Sequence, residues 1–170
     1  MEFIGYHGTD AQSANLIETE GFSDSPESAW LGAGVYFFEE CPPIFDGLQD
    51  AEWWVTMVKK YKYWGIYKAT IDSSNVLDLV NNPDDKNKYE QIGKHLLDKH
   101  CKAGKKKEDF SCHDIILQLR KKVEVIRCVV DASKMDAEIQ SYIVGRPQIQ
   151  LCVYKNSGRV IKDYSIIKEN

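Results

Sequence analysis

Two short aromatic runs, each punctuated by glycine, constrain the fold of this chain more tightly than any other feature. The first, Phe3-Ile4-Gly5-Tyr6, is an apolar run of strand type that breaks at His7-Gly8-Thr9 ahead of a helical pattern. The second, Leu31-Gly32-Ala33-Gly34-Val35-Tyr36-Phe37-Phe38, sets two glycines before an aromatic strand. A glycine inside a strand pattern marks close approach of another backbone or of a ligand. His7 is then placed to face a ligand from a strand end. Gly8 leaves its N–H and C=O free of side-chain cover, so that an amide can dock on them as on a strand edge. The strand centred on Tyr36 is expected to lie against something flat.

Length and composition set the scale. At 170 residues and 43% hydrophobic, the chain supports one domain, residues 1–170, with a substantial core. A net charge of −4 supplies no global field to recruit nucleic acid or anionic membrane, while local basic patches stay open. The opening residues form no charged-then-apolar leader and no apolar run reaches membrane length, so a cytoplasmic protein without membrane contact is expected. Cys41, Cys101, Cys112, Cys128 and Cys152 are odd in number and irregularly spaced, which predicts reduced thiols.

The remaining elements follow from periodicity and punctuation. Thr9 and Gln12 make a capping-box pattern for a helix carrying Ala11, Ala14 and Ile17 on one face and closed by Gly21. Residues 23–30 and 39–49 read as loops. A helix over 50–62 turns Ala51, Trp54, Val55 and Val58 inward and leaves Trp53 beside that stripe. Strand patterns occupy 64–71 and 76–79, helices 84–101 and 113–122, and a buried strand 123–130. A polar loop over 131–140 precedes strands at 149–154 and 160–167, which Asn156-Ser157-Gly158 joins as a hairpin.

Tyr6-His7-Gly8-Thr9, the helix ending Glu20-Gly21-Phe22, and Gly32-Ala33-Gly34-Val35-Tyr36-Phe37-Phe38 together resemble the ADP-ribosyltransferase superfamily. The likeness is to its His-Tyr-Glu branch, that of diphtheria toxin and the poly(ADP-ribose) polymerases, and especially to small bacterial toxin or phage-defence members. It spans Tyr6 to Trp54, with a third motif near the C-terminus. The resemblance implies an α+β fold, a split antiparallel β-sandwich with flanking helices and NAD in the cleft between its halves. NAD is then co-substrate, no metal is needed, and the partner is a protein or nucleic-acid acceptor, with an antitoxin protein as a further candidate.

Roles are carried over residue by residue. His7 would donate to a ribose hydroxyl with Thr9 supporting it, Gly8 would pair with the carboxamide, and Tyr36 would stack on nicotinamide. Trp53, in Asp50-Ala51-Glu52-Trp53, matches a second stacking position. Gln150 falls where the family has its catalytic glutamate; Gln148 shares its strand face, and Glu138 is the nearest upstream carboxylate. The chemistry explains the set: breaking the glycosidic bond of NAD puts positive charge on the ribose, and a charged partner on its hydroxyl stabilises that state. Gln150 can make the bond but cannot take a proton, which points to mono-transfer rather than chain elongation. Plainer readings stay beside these, with Tyr36 and Trp53 as packing residues and Gln150 as a strand residue.

Three functional classes follow: a transferase, an NAD glycohydrolase or enzyme of terminal RNA phosphate, and an inactive NAD- or partner-binding module. RNA 2′-phosphotransferases share a His-Gly-Thr-like opening but carry histidine where Tyr36 stands, which counts against them. His100-Cys101 and Cys112-His113 are ligand-type residues at a spacing that fits no common zinc module. The Lys105-Lys106-Lys107 run with Arg120, Lys121 and Lys122 reads as a solvated face.

Overall fold

The computed structural model describes residues 1–131, 147–154 and 159–170. They form a mixed α/β structure built on a seven-stranded sheet with four α-helices. The strands are β1 (Glu2–Asp10), β2 (Val35–Glu39), β3 (Trp64–Asp72), β4 (Val76–Asp78), β5 (Val125–Asp131), β6 (Pro147–Val153) and β7 (Ile161–Glu169), in the spatial order β4-β5-β6-β2-β1-β3-β7. The helices are α1 (Ala11–Glu20), α2 (Gly47–Trp53), α3 (Pro83–Lys102) and α4 (Cys112–Leu119).

One hydrogen-bonded sheet replaces the expected pair, and its β4–β5 pairing is parallel where an all-antiparallel arrangement was expected. A near-division survives at β1 and β2. β1 pairs with β3 from Glu2 to Asp10, but with β2 only through Gly5 opposite Glu39 and Tyr6 opposite Phe38. Beyond Tyr6 the two strands splay apart.

Several boundaries differ from the sequence reading for local reasons. β1 runs on through His7-Gly8-Thr9 because β3 supplies an unbroken partner. Asp10, not Thr9, caps α1, accepting from the Ser13 N–H at 3.0 Å and from its hydroxyl at 2.8 Å. The helix expected over 50–62 starts earlier, capped by Asp46, and stops at Trp53, where the chain widens into a π-helical turn over Trp54–Val58. β6 and β7 are not a hairpin pair. Both edges of β6 are occupied by β5 and β2, and β7 lies across the sheet on β3. The expected turn Asn156-Ser157-Gly158 lies outside the described residues.

The two faces are covered differently. On one, α1 packs Ala14 and Ile17 over Phe37, Tyr67, Ile71 and Leu151 in a single core. On the other, the apolar cover is in two pieces. Beneath α3 and α4, Leu77, Ile115, Ile126 and Cys152 form one cluster. Beneath α2 and the π-helical turn, Tyr6, Phe38, Val55 and Ile66 form the second. The gap between these pieces lies over the splay of β1 and β2.

Candidate functional site

A cleft of about 430 Å³ opens in that gap, lined by His7, Gly8 and Thr9 of β1, Tyr36 and Phe38 of β2, Gln150 of β6, the 25–30 loop, and Trp54, Lys59 and Tyr61. Its volume is in the range of small-molecule sites. Strand pairing explains why residues so far apart in sequence meet here: Phe38 is the register partner of both Tyr6 and Gln150.

His7 spans the splay. Its Nδ1 lies 2.8 Å from the Tyr36 carbonyl oxygen, and its ring packs on Phe22 and Phe37. A carbonyl only accepts, so Nδ1 carries the proton. Burial pushes the His7 pKa below its ordinary value, against a smaller upward pull from the Tyr36 bond. In the neutral ring, Nε2 is therefore an acceptor. In this tautomer a ligand hydroxyl would donate to Nε2, and in the protonated ring it would accept from it.

Gly8 has two reasons to be glycine. The Glu40 N–H donates to the Ile4 carbonyl at 2.8 Å across the β1–β2 edge. By the two-residue alternation of strands, the N–H and C=O of Gly8 point the same way, past the end of the pairing and into the cleft. A Cβ at Gly8 would also lie 2.6 Å from Val55 Cγ1 and 2.9 Å from the Ala51 carbonyl oxygen. Thus α2 packs flush on this strand because no side chain intervenes.

Tyr36 is both wall and anchor. Its hydroxyl donates to the Gly32 carbonyl and accepts from the Leu31 N–H, each at 2.9 Å. Burial pushes its pKa well above the usual phenol range, so the group stays protonated. The ring faces the cleft while its tip fixes the 31–34 turn. Gly32 takes a left-handed φ of +81° there, which favours glycine. The Tyr154 hydroxyl donates to the Leu31 carbonyl at 2.8 Å, which secures the same turn to the core.

Gln150 is buried, with the Trp30 indole N–H donating to its Oε1 at 3.2 Å. That contact fixes the orientation of the amide. Oε1 keeps one further acceptor position and Nε2 is the donor. Trp30 is held from behind, since His113 Nδ1 lies 3.3 Å from its carbonyl oxygen.

The other expected site residues fall elsewhere. Trp53 ends α2 and is not among the cleft-lining residues; its neighbour Trp54 is, with Lys59 Nζ 5.0 Å from the ring centroid. Trp54 packs on Phe38, ring centroids 6.2 Å apart, and so borders both the core cluster beneath α2 and the cleft. Gln148 shares the strand face of Gln150 but is fully buried against α2, donating to Asp50 Oδ1 at 3.0 Å. Its Oε1 has no hydrogen-bond partner among the described residues. Glu138 lies outside the described residues. Trp30, Lys59 and Tyr61 were missed as cleft residues; Trp30 was signalled only by its place in the 23–30 loop, and Lys59 and Tyr61 fell inside the helix expected over 50–62 and carried no signal.

No protein-family model, curated protein or solved structure matches this chain. What the site can do therefore rests on its own geometry. A planar group can be held between the Tyr36 and Trp54 walls, an amide can pair with the Gly8 backbone, and hydroxyls can bond to His7 Nε2 and Gln150 Oε1. Among the described cleft-lining residues the one formally charged side chain is Lys59, and none is a carboxylate.

The remaining titratable clusters are accounted for locally. His100 Nε2 lies 2.9 Å from the Lys106 carbonyl oxygen, and no group of His, Cys, Asp and Glu that could hold a metal occurs among the described residues. Burial raises the Cys128 thiol, and it raises Cys152 to about 12, so both are inert at neutral pH. No described helix is long and apolar enough to cross a membrane.

Proposed function

We propose that this cleft binds NAD and transfers ADP-ribose from it to a macromolecular acceptor, protein or nucleic acid, releasing nicotinamide. The supporting observation is the splay of β1 from β2. It gathers His7, Gly8, Tyr36 and Gln150 around one opening and turns the Gly8 backbone into a strand edge able to pair with a carboxamide. In this reading the seven-stranded sheet, nearly divided at β1 and β2, is the split sheet of an ADP-ribosyltransferase-like fold. The protein is placed in the cytoplasm, as a toxin or defence effector that an antitoxin protein can restrain.

The reaction needs little from the protein beyond placement. The C1′–N bond of NAD breaks, its electron pair leaves with neutral nicotinamide, and a lone pair of the acceptor forms the new bond to C1′ while its proton passes to solvent. Tyr36 and Trp54 hold the nicotinamide flat, with Trp54 taking the place first expected for Trp53. Gln150 Oε1 accepts from the nicotinamide-ribose hydroxyl, and His7 Nε2 accepts from a hydroxyl on the adenosine side. Lys59 faces the pyrophosphate. A neutral amide forgoes the charge assistance of a carboxylate, which slows the step by about tenfold for each 1.4 kcal/mol lost.

A second reading, a module that binds NAD or a partner without catalysis, is favoured by the lack of a carboxylate among the described lining residues. Nicotinamide release by the purified protein, with and without cellular RNA and protein extract, separates the two. Release that depends on an acceptor supports the transferase, and release without one indicates a glycohydrolase. NAD binding without release supports the module; no NAD binding at all sinks the transferase and leaves only a module that binds a partner. Gln150→Glu is expected to raise release about tenfold by restoring the charge.

A further inference from the structure

The turn that leaves the cleft beside Trp54 reads Lys59-Lys60-Tyr61-Lys62-Tyr63. Tyr61 is half-buried against the apolar cluster of Tyr6, Phe38 and Val55, and the other four residues are exposed. Tyr63 is 58% exposed, Lys59, Lys60 and Lys62 are exposed, and Lys62 Nζ sits 5.1 Å from the Tyr63 ring centroid. None of these three lysines forms an ion pair among the described residues, whereas Lys168 is paired with Glu52 at 2.6 Å. Lys60 holds a left-handed φ of +55°, the sole non-glycine residue to do so among those described. That conformation is costly for a side chain bearing a Cβ. Lys59 and Tyr61 line the cleft, and Lys60, Lys62 and Tyr63 are their exposed neighbours along the chain.

In a protein of net charge −4 this is a local concentration of unpaired cations, interleaved with aromatic faces, at the mouth of a cleft free of carboxylates among its described lining. Lys59 suffices for a small anionic co-substrate inside. Lys60, Lys62 and Tyr63 are exposed and not among the cleft-lining residues, and they suit a second, extended polyanion with flat bases. We propose that residues 59–63 form the docking track for a single-stranded nucleic acid. Its phosphates meet Lys60 and Lys62, a base stacks on Tyr63, and the strand presents its nucleotide to the cleft as the ADP-ribose acceptor. The acceptor role rests on the NAD reading above; the docking does not. Lysines beside an exposed aromatic face, here that of Tyr63, are the arrangement by which single strands are held without sequence readout.

The test is fluorescence anisotropy of the full chain with a labelled mixed-sequence single strand of about 12 nucleotides, a length matched to such sites. RNA and DNA are tried separately, without NAD and over a salt series. Binding is expected to fall with salt at a slope near −2, about −0.7 for each of three phosphates neutralised, at Lys60, at Lys62 and, with NAD absent, at Lys59. Lys60→Gln with Lys62→Gln should flatten that slope by about 1.4, and Tyr63→Ala should weaken binding about tenfold. These positions are exposed, and an unchanged urea midpoint verifies that each variant folds.

No salt-dependent binding by the wild type, or binding unaltered in the lysine variant, overturns the proposal. So does displacement by an acidic peptide at equal charge together with no effect of Tyr63→Ala, which would assign the rim to an acidic protein. Nicotinamide release reports on the cleft independently. Strand binding without release keeps the docking track and removes the transfer, whereas release with no strand binding removes the track and keeps the cleft.

Discussion

The two edges of β1 make the same kind of contact to very different extents. Toward β3 the ladder runs the length of the strand; toward β2 it stops after two residues. Where the ladder continues, the backbone satisfies itself and side chains only pack. Where it stops, a side chain must bridge, and His7 does so through the Tyr36 carbonyl. The backbone groups left over at Gly8 face the cleft and form the proposed recognition edge. A cleft opens here because regular pairing ends while the strands remain anchored nearby.

That anchor is ionic. At the closed end of the splay, Arg127 on β5 makes a two-pronged contact with Glu39 on β2, at 2.7 and 2.9 Å, and a further pair of bonds to Asp78 on β4, both 3.2 Å. Its guanidinium also lies 5.6 Å from the ring centroid of Phe3 on β1. All three charged groups are buried. The cluster ties four strands together just where β1 and β2 still touch.

Breaking the closed end should have the largest consequence. Arg127→Met leaves two buried carboxylates without their cation and is expected to cost about 3–5 kcal/mol, read as a lowered urea midpoint. A loss below about 1 kcal/mol would mean that the ladder alone holds the strands. At the open end, Gly8→Ala drives a methyl into Val55 and the Ala51 carbonyl. It is expected to cost about 1–3 kcal/mol by the same assay and to weaken NAD binding by displacing the edge. Stability lost with NAD affinity kept would separate the packing of Gly8 from its proposed recognition role.

Sequence made one end of this device legible and left the other hidden. The glycines and aromatics at 5–9 and 32–38 announce close backbone approach through local pattern alone, and strands form at both, although the first runs on past the expected break to Asp10 because β3 pairs with it throughout. Glu39, Asp78 and Arg127 carry no such mark, because an ion cluster is assembled by strand order, and strand order is non-local. The same cause misplaced the last strand: β6 and β7 look like hairpin partners along the chain, but β2 and β5 compete for the edges of β6. Trp54 lies on the core stripe that its helical spacing predicts, packed on Phe38, and it also lines the cleft because the cleft borders the Phe38 cluster.

Tyr36→Phe sharpens the comparison without disturbing the ladder. It removes the hydroxyl that serves the Leu31 N–H and the Gly32 carbonyl while leaving the ring that faces the cleft. The expected loss is about 1–2 kcal/mol of stability, with NAD affinity nearly unchanged if the ring alone is used. A large fall in affinity at full stability would instead assign the hydroxyl to the ligand and remove it from the turn.

The smallest effect tests whether the open end is as dry as its geometry implies. In the unfolded chain His7 takes up a proton as the pH falls through about 6.5, but burial delays that uptake in the fold. Over the interval between the two pKa values the unfolded state binds more protons, so stability rises with pH and is lost on acidification. Between about pH 7 and pH 6 the loss from this one group is about 0.7 kcal/mol if His7 stays neutral throughout, and it levels off once the folded form is also protonated. His7→Gln lacks this titration, so the wild-type-minus-variant difference in unfolding free energy should shrink by that amount on acidification. A constant difference would mean that His7 titrates normally and that water reaches the splay. The Nδ1 proton is needed at either pH to hold Tyr36, so protonation alters only Nε2, from acceptor to donor. A ligand hydroxyl can serve either form, but a ligand that solely donates at this position must lose affinity over the same pH interval.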